Sequence, residues 1–208
     1  MILKGRFAPL RLLTGQRIST RQSEQVLIGE GLRLRPPELD DFPFWERLRS
    51  ESKSFLEPWE PLWPEDDLTR TAFRRRIRRY TAEIEADEAY PFLIWSMADG
   101  ALLGGLTIGN VRRGAAQSAT LGYWMGARYA GQGIMTRAVT LACRFGFGPG
   151  KLDRIEAGCL PENAASIRLL EKVGFRREGL ARNYLSIAGR RRDHILFGLL
   201  STDEMIKS

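Results

Sequence analysis

Residues 121–175 hold two successive units of strand, turn and helix, and the first turn carries two glycines one residue apart. The run LGYWMGARYAGQGIMTRAVTLACRFGFG predicts a strand ending at Trp124 and Met125. A loop with Arg128, Gly131 and Gly133 follows, then a helix whose apolar face includes Ile134, Leu141, Ala142 and Phe145. Gly131 and Gly133 keep that loop free of side chains, so its amides can turn toward an anion at the positive end of the helix. The run KLDRIEAGCLPENAASIRLLEKVGF predicts a second strand over 155–160 and a second helix opening at Asn163. Taken alone, the glycine pair also fits a plain tight turn, and Asn163 also fits a plain N-cap. A single side chain can cap a helix and face a ligand.

Other phosphate-binding signatures do not match. Thr136 stands where a dinucleotide fingerprint requires a third glycine, and Gly-Lys-Ser/Thr occurs nowhere in the chain. One histidine, His194, leaves no cluster from which to build a metal site, so no metal is expected. Two cysteines, Cys143 in a helix and Cys159 in a strand, make no disulfide framework, which suits a reducing cytoplasm, and Cys159 reads as a buried, unreactive thiol. No apolar run reaches the length needed to cross a bilayer, so no membrane partner is expected. The net charge of +7 suits an acidic partner, such as a polyphosphate ligand or a ribosomal surface.

The rest of the chain alternates strands and helices. Residues 1–24 are basic, with Lys4, Arg6, Arg11, Arg17 and Arg21 and no acid before Glu24, and read as a flexible tail. The domain is expected over 25–201, with a short tail at 202–208. Strands are predicted at 31–35, 92–97, 102–109 and 118–125, with helices at 38–50 and 69–88. Arg74, Arg75, Arg76, Arg78 and Arg79 read as the solvated face of the second helix. A closing hairpin over 176–187 and 193–200 turns at Ala188-Gly189. There is no internal repeat and no second domain, only a monomer or homodimer of one α/β unit.

The segment Arg128-Tyr129-Ala130-Gly131-Gln132-Gly133, with Pro-Glu-Asn-x-x-Ser and Glu-Lys-x-Gly-Phe after it, resembles the acyl-coenzyme A core of the GNAT N-acetyltransferases. The resemblance implies a mixed, largely antiparallel sheet flanked by helices, with strands splayed where acetyl-CoA inserts. It implies cofactor contacts at Trp124, Met125, Arg128, Gly131, Gln132, Gly133, Ile134, Met135, Thr136, Asn163 and Ser166. The stretch Phe55-Leu56-Glu57-Pro58-Trp59-Glu60-Pro61 and the run Gly189-Arg190-Arg191-Arg192-Asp193-His194 are similar to the RimJ type. That group acetylates the N-terminal alanine of a small-subunit ribosomal protein.

On that footing an amine attacks the thioester directly in a ternary complex, an amide near Met125 stabilises the oxyanion, and no enzyme-bound acyl group forms. Many members use a tyrosine shortly before the Gly-Phe pair as the acid. Leu170 stands there, and the resemblance points instead to Ser166. Glu60 is expected to act as base through water and, with Trp59, to grip the acceptor. Glu156 is the second candidate, and Asp193-His194 reads as a structural pair. The alternatives are a small-amine acceptor, such as an antibiotic, polyamine or amino acid, and a basic RNA-associated protein of ribosome assembly. The chain has no recognisable RNA-binding motif for the latter.

Overall fold

In the computed structural model, which describes residues 25–205, eight strands form one sheet in the order β1-β2-β3-β4-β5-β6-β8-β7. The strands are β1 (Leu27–Gly29), β2 (Leu32–Arg35), β3 (Tyr90–Ser96), β4 (Leu102–Arg112), β5 (Ser118–Met125), β6 (Arg154–Cys159), β7 (Arg176–Ile187) and β8 (Arg190–Leu200). The helices are α1 (Phe42–Glu51), the single turn α2 (Lys53–Leu56), α3 (Arg70–Glu85), α4 (Ile134–Phe147) and α5 (Ala164–Val173). Every neighbouring pair is antiparallel except β5 with β6. A parallel pair needs a crossover, and α4 supplies it.

The expected strands and helices form close to their expected bounds. The exceptions are β1, a three-residue strand that a tight turn at Glu30-Gly31 pairs to β2, and α2 with a 3-10 turn at Glu57–Trp59 inside the aromatic stretch. Thr69 caps α3 by accepting from the Ala72 amide at 3.1 Å. Arg75 and Arg76 on α3 pair with Asp66 and Asp67, so the arginine run is a solvated, ion-paired face. The basic segment 1–24 lies outside the described residues.

Helices cover both faces of the sheet. On one face α4 and α5 press Ala138, Val139, Ala142, Cys143, Leu170 and Val173 against Leu121, Ile155, Phe197 and Leu199. On the other, Trp45, Leu48 and Phe73 of α1 and α3 pack on Leu93 and Leu102. Alternation along β5 sends Tyr123 to the first cluster and Trp124 to the second. One strand therefore serves two chambers.

Candidate active site

The expected phosphate loop is built on two left-handed residues, Gly131 at φ 76° and Gly133 at φ 72°. A Cβ on either would meet nothing within 4 Å, so the backbone conformation, not crowding, selects glycine. Gly133 is the N-cap of α4, and no side chain bonds to the helix end. The first-turn amides, from Ile134 to Thr136, are left for an anion, which the helix dipole also favours. Gln132 ties the loop by donating to the Arg128 carbonyl at 3.0 Å. The Ser52 hydroxyl, at the end of α1, accepts from the Ala127 amide at 2.9 Å. Arg128 lies 3.5 Å from Glu51. Ile134 and Met135 are buried beneath the loop.

Between β5 and β6 the sheet opens. Their pairing ends at Leu121 and Ala157. Beyond it β5 stays with β4 as far as Met125, and β6 stays with β8 as far as Cys159. The Gly126 amide donates to Leu103 at 2.9 Å on the β4 side. Strand alternation then aims the Met125 amide into the gap, where an oxyanion donor is needed.

On the α5 side of the gap, Tyr123 faces Ser166. Burial pushes the Tyr123 phenol up to about 12, and hydrogen bonding with Ser166 works against that rise. The Asn163 side chain accepts from the Ser166 amide at 3.0 Å, so the expected cap is real and Ser166 is half-buried in the first turn of α5. Cys159 ends β6 beside them. Burial raises its thiol to about 11, which keeps it protonated and a poor nucleophile.

The opposite side of the gap has a bare floor. Gly122 and Gly158, the first residues past the last β5–β6 pair, are both exposed. Nothing lies within 4 Å of a Cβ built on Gly122. The wall above is a cluster around Arg49 of α1, which is 5% exposed. Its guanidinium forks onto both Glu60 carboxylate oxygens at 2.8 and 2.7 Å. It stacks between Trp63 and Trp124 at 4.1 and 5.0 Å from the ring centres. The Trp63 indole adds a 2.7 Å hydrogen bond to Glu60.

The Glu60 carbonyl accepts from the Ala188 amide at 2.9 Å, which seats the β7–β8 turn on this strap. Trp59 stands on the outer side, 37% exposed. Glu156 lies two residues before Gly158 on the same face of β6. It is opposite Thr120, where the strands still pair, and it holds Arg112 and Arg154 at 2.7 and 3.0 Å.

An uncapped helix N-terminus on a left-handed glycine loop, leading to a gap between two splayed strands, can take an anionic cofactor with a reacting group beside it. Residues 31–176 match the acetyltransferase (GNAT) domain model, and the chain belongs to the GNAT family, whose acetyl donor is acetyl-CoA. It is 38% identical over 179 residues to the Probable N-acetyltransferase YjcK of Bacillus subtilis, covering 86% of this chain and 99% of that one. It is 32% identical over 154 residues to the ribosomal protein uS5-alanine N-acetyltransferase of Escherichia coli, covering 74% and 79%. The structure of Mycobacterium smegmatis RimJ in complex with CoA-disulfide superposes with a TM-score of 0.78 at 37% identity, covering 84% and 85%.

The structure thus brings the loop residues, Met125, Asn163 and Ser166 to one edge of the gap, and Glu60 to the other. Sequence reasoning missed Tyr123, Arg49, Gly122 and Gly158. The signal for the glycines was their place in strands, where a glycine marks close approach or open floor. Among the described residues, no group of His, Cys, Asp and Glu could hold a metal ion, and no helix is long and apolar enough to cross a membrane.

Proposed function

We propose that this chain acetylates the α-amine of a protein whose first residue is alanine, and that the acceptor is a ribosomal protein. The reading rests chiefly on the match to the Escherichia coli alanine acetyltransferase over 79% of that protein's length. The form of the acceptor side supports it. A bare floor at Gly122 and Gly158 lies beneath an aromatic strap and opens to the surface, as a chain end requires.

Acetyl-CoA fits the opposite side. The amides of residues 134–136 with Gly131 and Gly133 would hold its pyrophosphate, and Arg128, Gln132 and Thr136 would border it. Met125 and Asn163 would line its path, with Trp124 bordering it by backbone alone since its ring stacks on Arg49, and the thioester supplies the activated acetyl group. The Met125 amide stabilises the oxyanion, a contribution of about 3 kcal/mol per donor in acyl transfer. Ser166, backed by the still-protonated Tyr123, donates to the departing sulfur.

Glu60 serves as a fixed wall with Trp59. Three donors occupy its two oxygens, out of about four lone-pair sites on a carboxylate, and they leave little capacity for proton abstraction. Residues 25–201 form the transferase domain. Residues 1–24 add positive charge toward a ribosomal surface in the cytoplasm.

Mass spectrometry of protein N-termini in cells with and without this gene tests the reading. One or more alanine termini should lose acetylation in its absence. Unchanged termini, with a polyamine or antibiotic acetylated instead, would replace the acceptor.

A further inference from the structure

On the acceptor side Glu60 is engaged by Arg49 and Trp63, yet the chain's single histidine lies on that side too. His194 is 3% exposed on β8. Its neighbours Phe197 and Leu199 belong to the core under α4 and α5, so alternation puts His194 on the opposite, acceptor face of the sheet. The register sets Gly158 of β6 against Leu196 and Cys159 against Ile195, which brings His194 next to the open end of β6. A Cβ on Gly158 would lie 3.8 Å from the His194 Cβ and 3.7 Å from a ring carbon of Tyr184. Gly158 is exposed and, having no Cβ, puts no side chain between His194 and the gap.

The tautomer follows from the partner. His194 Nδ1 lies 3.0 Å from the Arg192 carbonyl oxygen, which can only accept, so Nδ1 carries the hydrogen. In the neutral ring Nε2 then holds the lone pair. Tyr184 meets the ring edge-on at 5.6 Å and fixes its plane. The charged groups nearby are already engaged: Arg192 with Glu162, and Asp193 with the Asn183 amide. Gly158 brings no ionisable group from β6.

We propose that His194 is the general base of the acetyl transfer. As the amine nitrogen bonds to the acetyl carbon and the carbon–sulfur bond breaks, the amine proton passes to His194 Nε2, directly or through one water. The leaving sulfur takes its proton from Ser166, which regains one from solvent, and the imidazolium returns its proton to solvent. The inference rests on the acceptor-face reading above but not on alanine, since any amine entering by that face meets the same base.

The test follows release of the CoA thiol with whichever amine reacts, peptide or polyamine, so that a failed alanine acceptor and a failed base are told apart. In the wild type, log kcat/KM should fall on the acid side with a slope of two, one unit from the amine and one from His194. In His194→Gln the slope should become one, with kcat/KM down by about 100-fold at neutral pH and acetyl-CoA affinity unchanged by calorimetry. Added imidazole should restore rate to His194→Gly. Proton NMR of the tag-free wild type gives one histidine ring to titrate, and its midpoint should coincide with the enzyme limb of the rate profile. That measurement decides the matter even if both variants fail to fold. A ring that titrates away from the limb, or a slope of two retained in a folded His194→Gln, overturns the assignment.

Discussion

Arg49 holds both oxygens of Glu60 across eleven residues of sequence, and it does so while stacked between Trp63 and Trp124. The pair joins α1 to the strap that walls the acceptor side. The same last turn of the helix reaches the glycine loop, through Ser52 to Ala127 and Glu51 to Arg128. On the proposed reading, one element thus sets the distance between the two reactants, on which the rate of a direct transfer depends. Arg49→Met would leave Glu60 without its partner. Breaking a fully buried pair costs about 3–5 kcal/mol, and with Glu60 20% exposed the loss in urea denaturation should fall near the lower bound. Arg49→Lys should lose the fork and the stacking, raise KM for the acceptor, and leave the affinity for acetyl-CoA intact.

A second prediction concerns Gly133. Its φ of 72° lies in open space, so Gly133→Ala should cost only the backbone strain, about 1–2 kcal/mol. Gly133→Asp adds a negative charge at the helix end that is to receive pyrophosphate. Acetyl-CoA affinity should then drop by more than about tenfold beyond the alanine variant, a further ~1.4 kcal/mol or more. Calorimetry on both variants, with circular dichroism as the check on folding, separates strain from charge. Equal affinities would remove the pyrophosphate from this loop.

Much of this was legible in the chain. The spacing of Gly131 and Gly133 between an apolar strand and an amphipathic helix marked the loop, and Ala188-Gly189 marked the closing turn, because both depend on neighbours in sequence. Of the acceptor side only the strap at Trp59-Glu60 was legible; its floor was not, because it depends on register. Gly122 and Gly158 look like ordinary strand glycines until β5 and β6 are set side by side and part at their level. Tyr123 and Ser166 lie on different elements, and so do Arg49 and Glu60. Strand β1 was missed because three residues are too few to display a period.

Those glycines give a third prediction, as a contrast. A methyl on Gly105 would fall 2.6 Å from the Trp124 indole nitrogen and 3.1 Å from the Phe92 carbonyl oxygen. Gly105→Ala should therefore cost about 1–3 kcal/mol through overpacking and displace Trp124. Gly122→Ala meets nothing and should keep the wild-type Tm, yet raise KM for the acceptor. A Gly122→Ala enzyme with unchanged KM would take Gly122 out of the acceptor floor.

Alkaline pH offers a fourth. Burial raises Tyr90 and Tyr123 to about 12 and Cys159 to about 11, each above its ordinary value. In that window the folded chain binds more protons than the unfolded one, so the stability these groups give is complete below their ordinary values. It is lost as pH rises through the folded ones. Tm should hold steady to about pH 9 and decline from there toward 12, and Tyr123→Phe should soften the decline. Thermal melts from pH 7 to 11 measure it. A Tm that rises over this range would contradict the sign.

The acceptor itself is the subject of the last prediction. A protein α-amine has an ordinary pKa near 7.7 and lysine one near 10.4, so at pH 7 the α-amine is neutral roughly 400 times more often. The acceptor side favours the easier proton loss. Glu60 is taken by Arg49 and Trp63, so it adds nothing to the proposed base His194, and the amine that is already more often neutral has the advantage. A peptide beginning with alanine should therefore be acetylated on its α-amine. The same peptide, blocked at its terminus and carrying a lysine, should react at least about ten times more slowly. Product mapping by mass spectrometry distinguishes the two nitrogens, and rates at pH 7 and pH 9 add a control. If proton loss sets the preference, the lysine peptide should gain more from the rise. Equal rates at pH 7 would refute an α-amine preference, while leaving the splayed acetyl-CoA site of this fold as it stands.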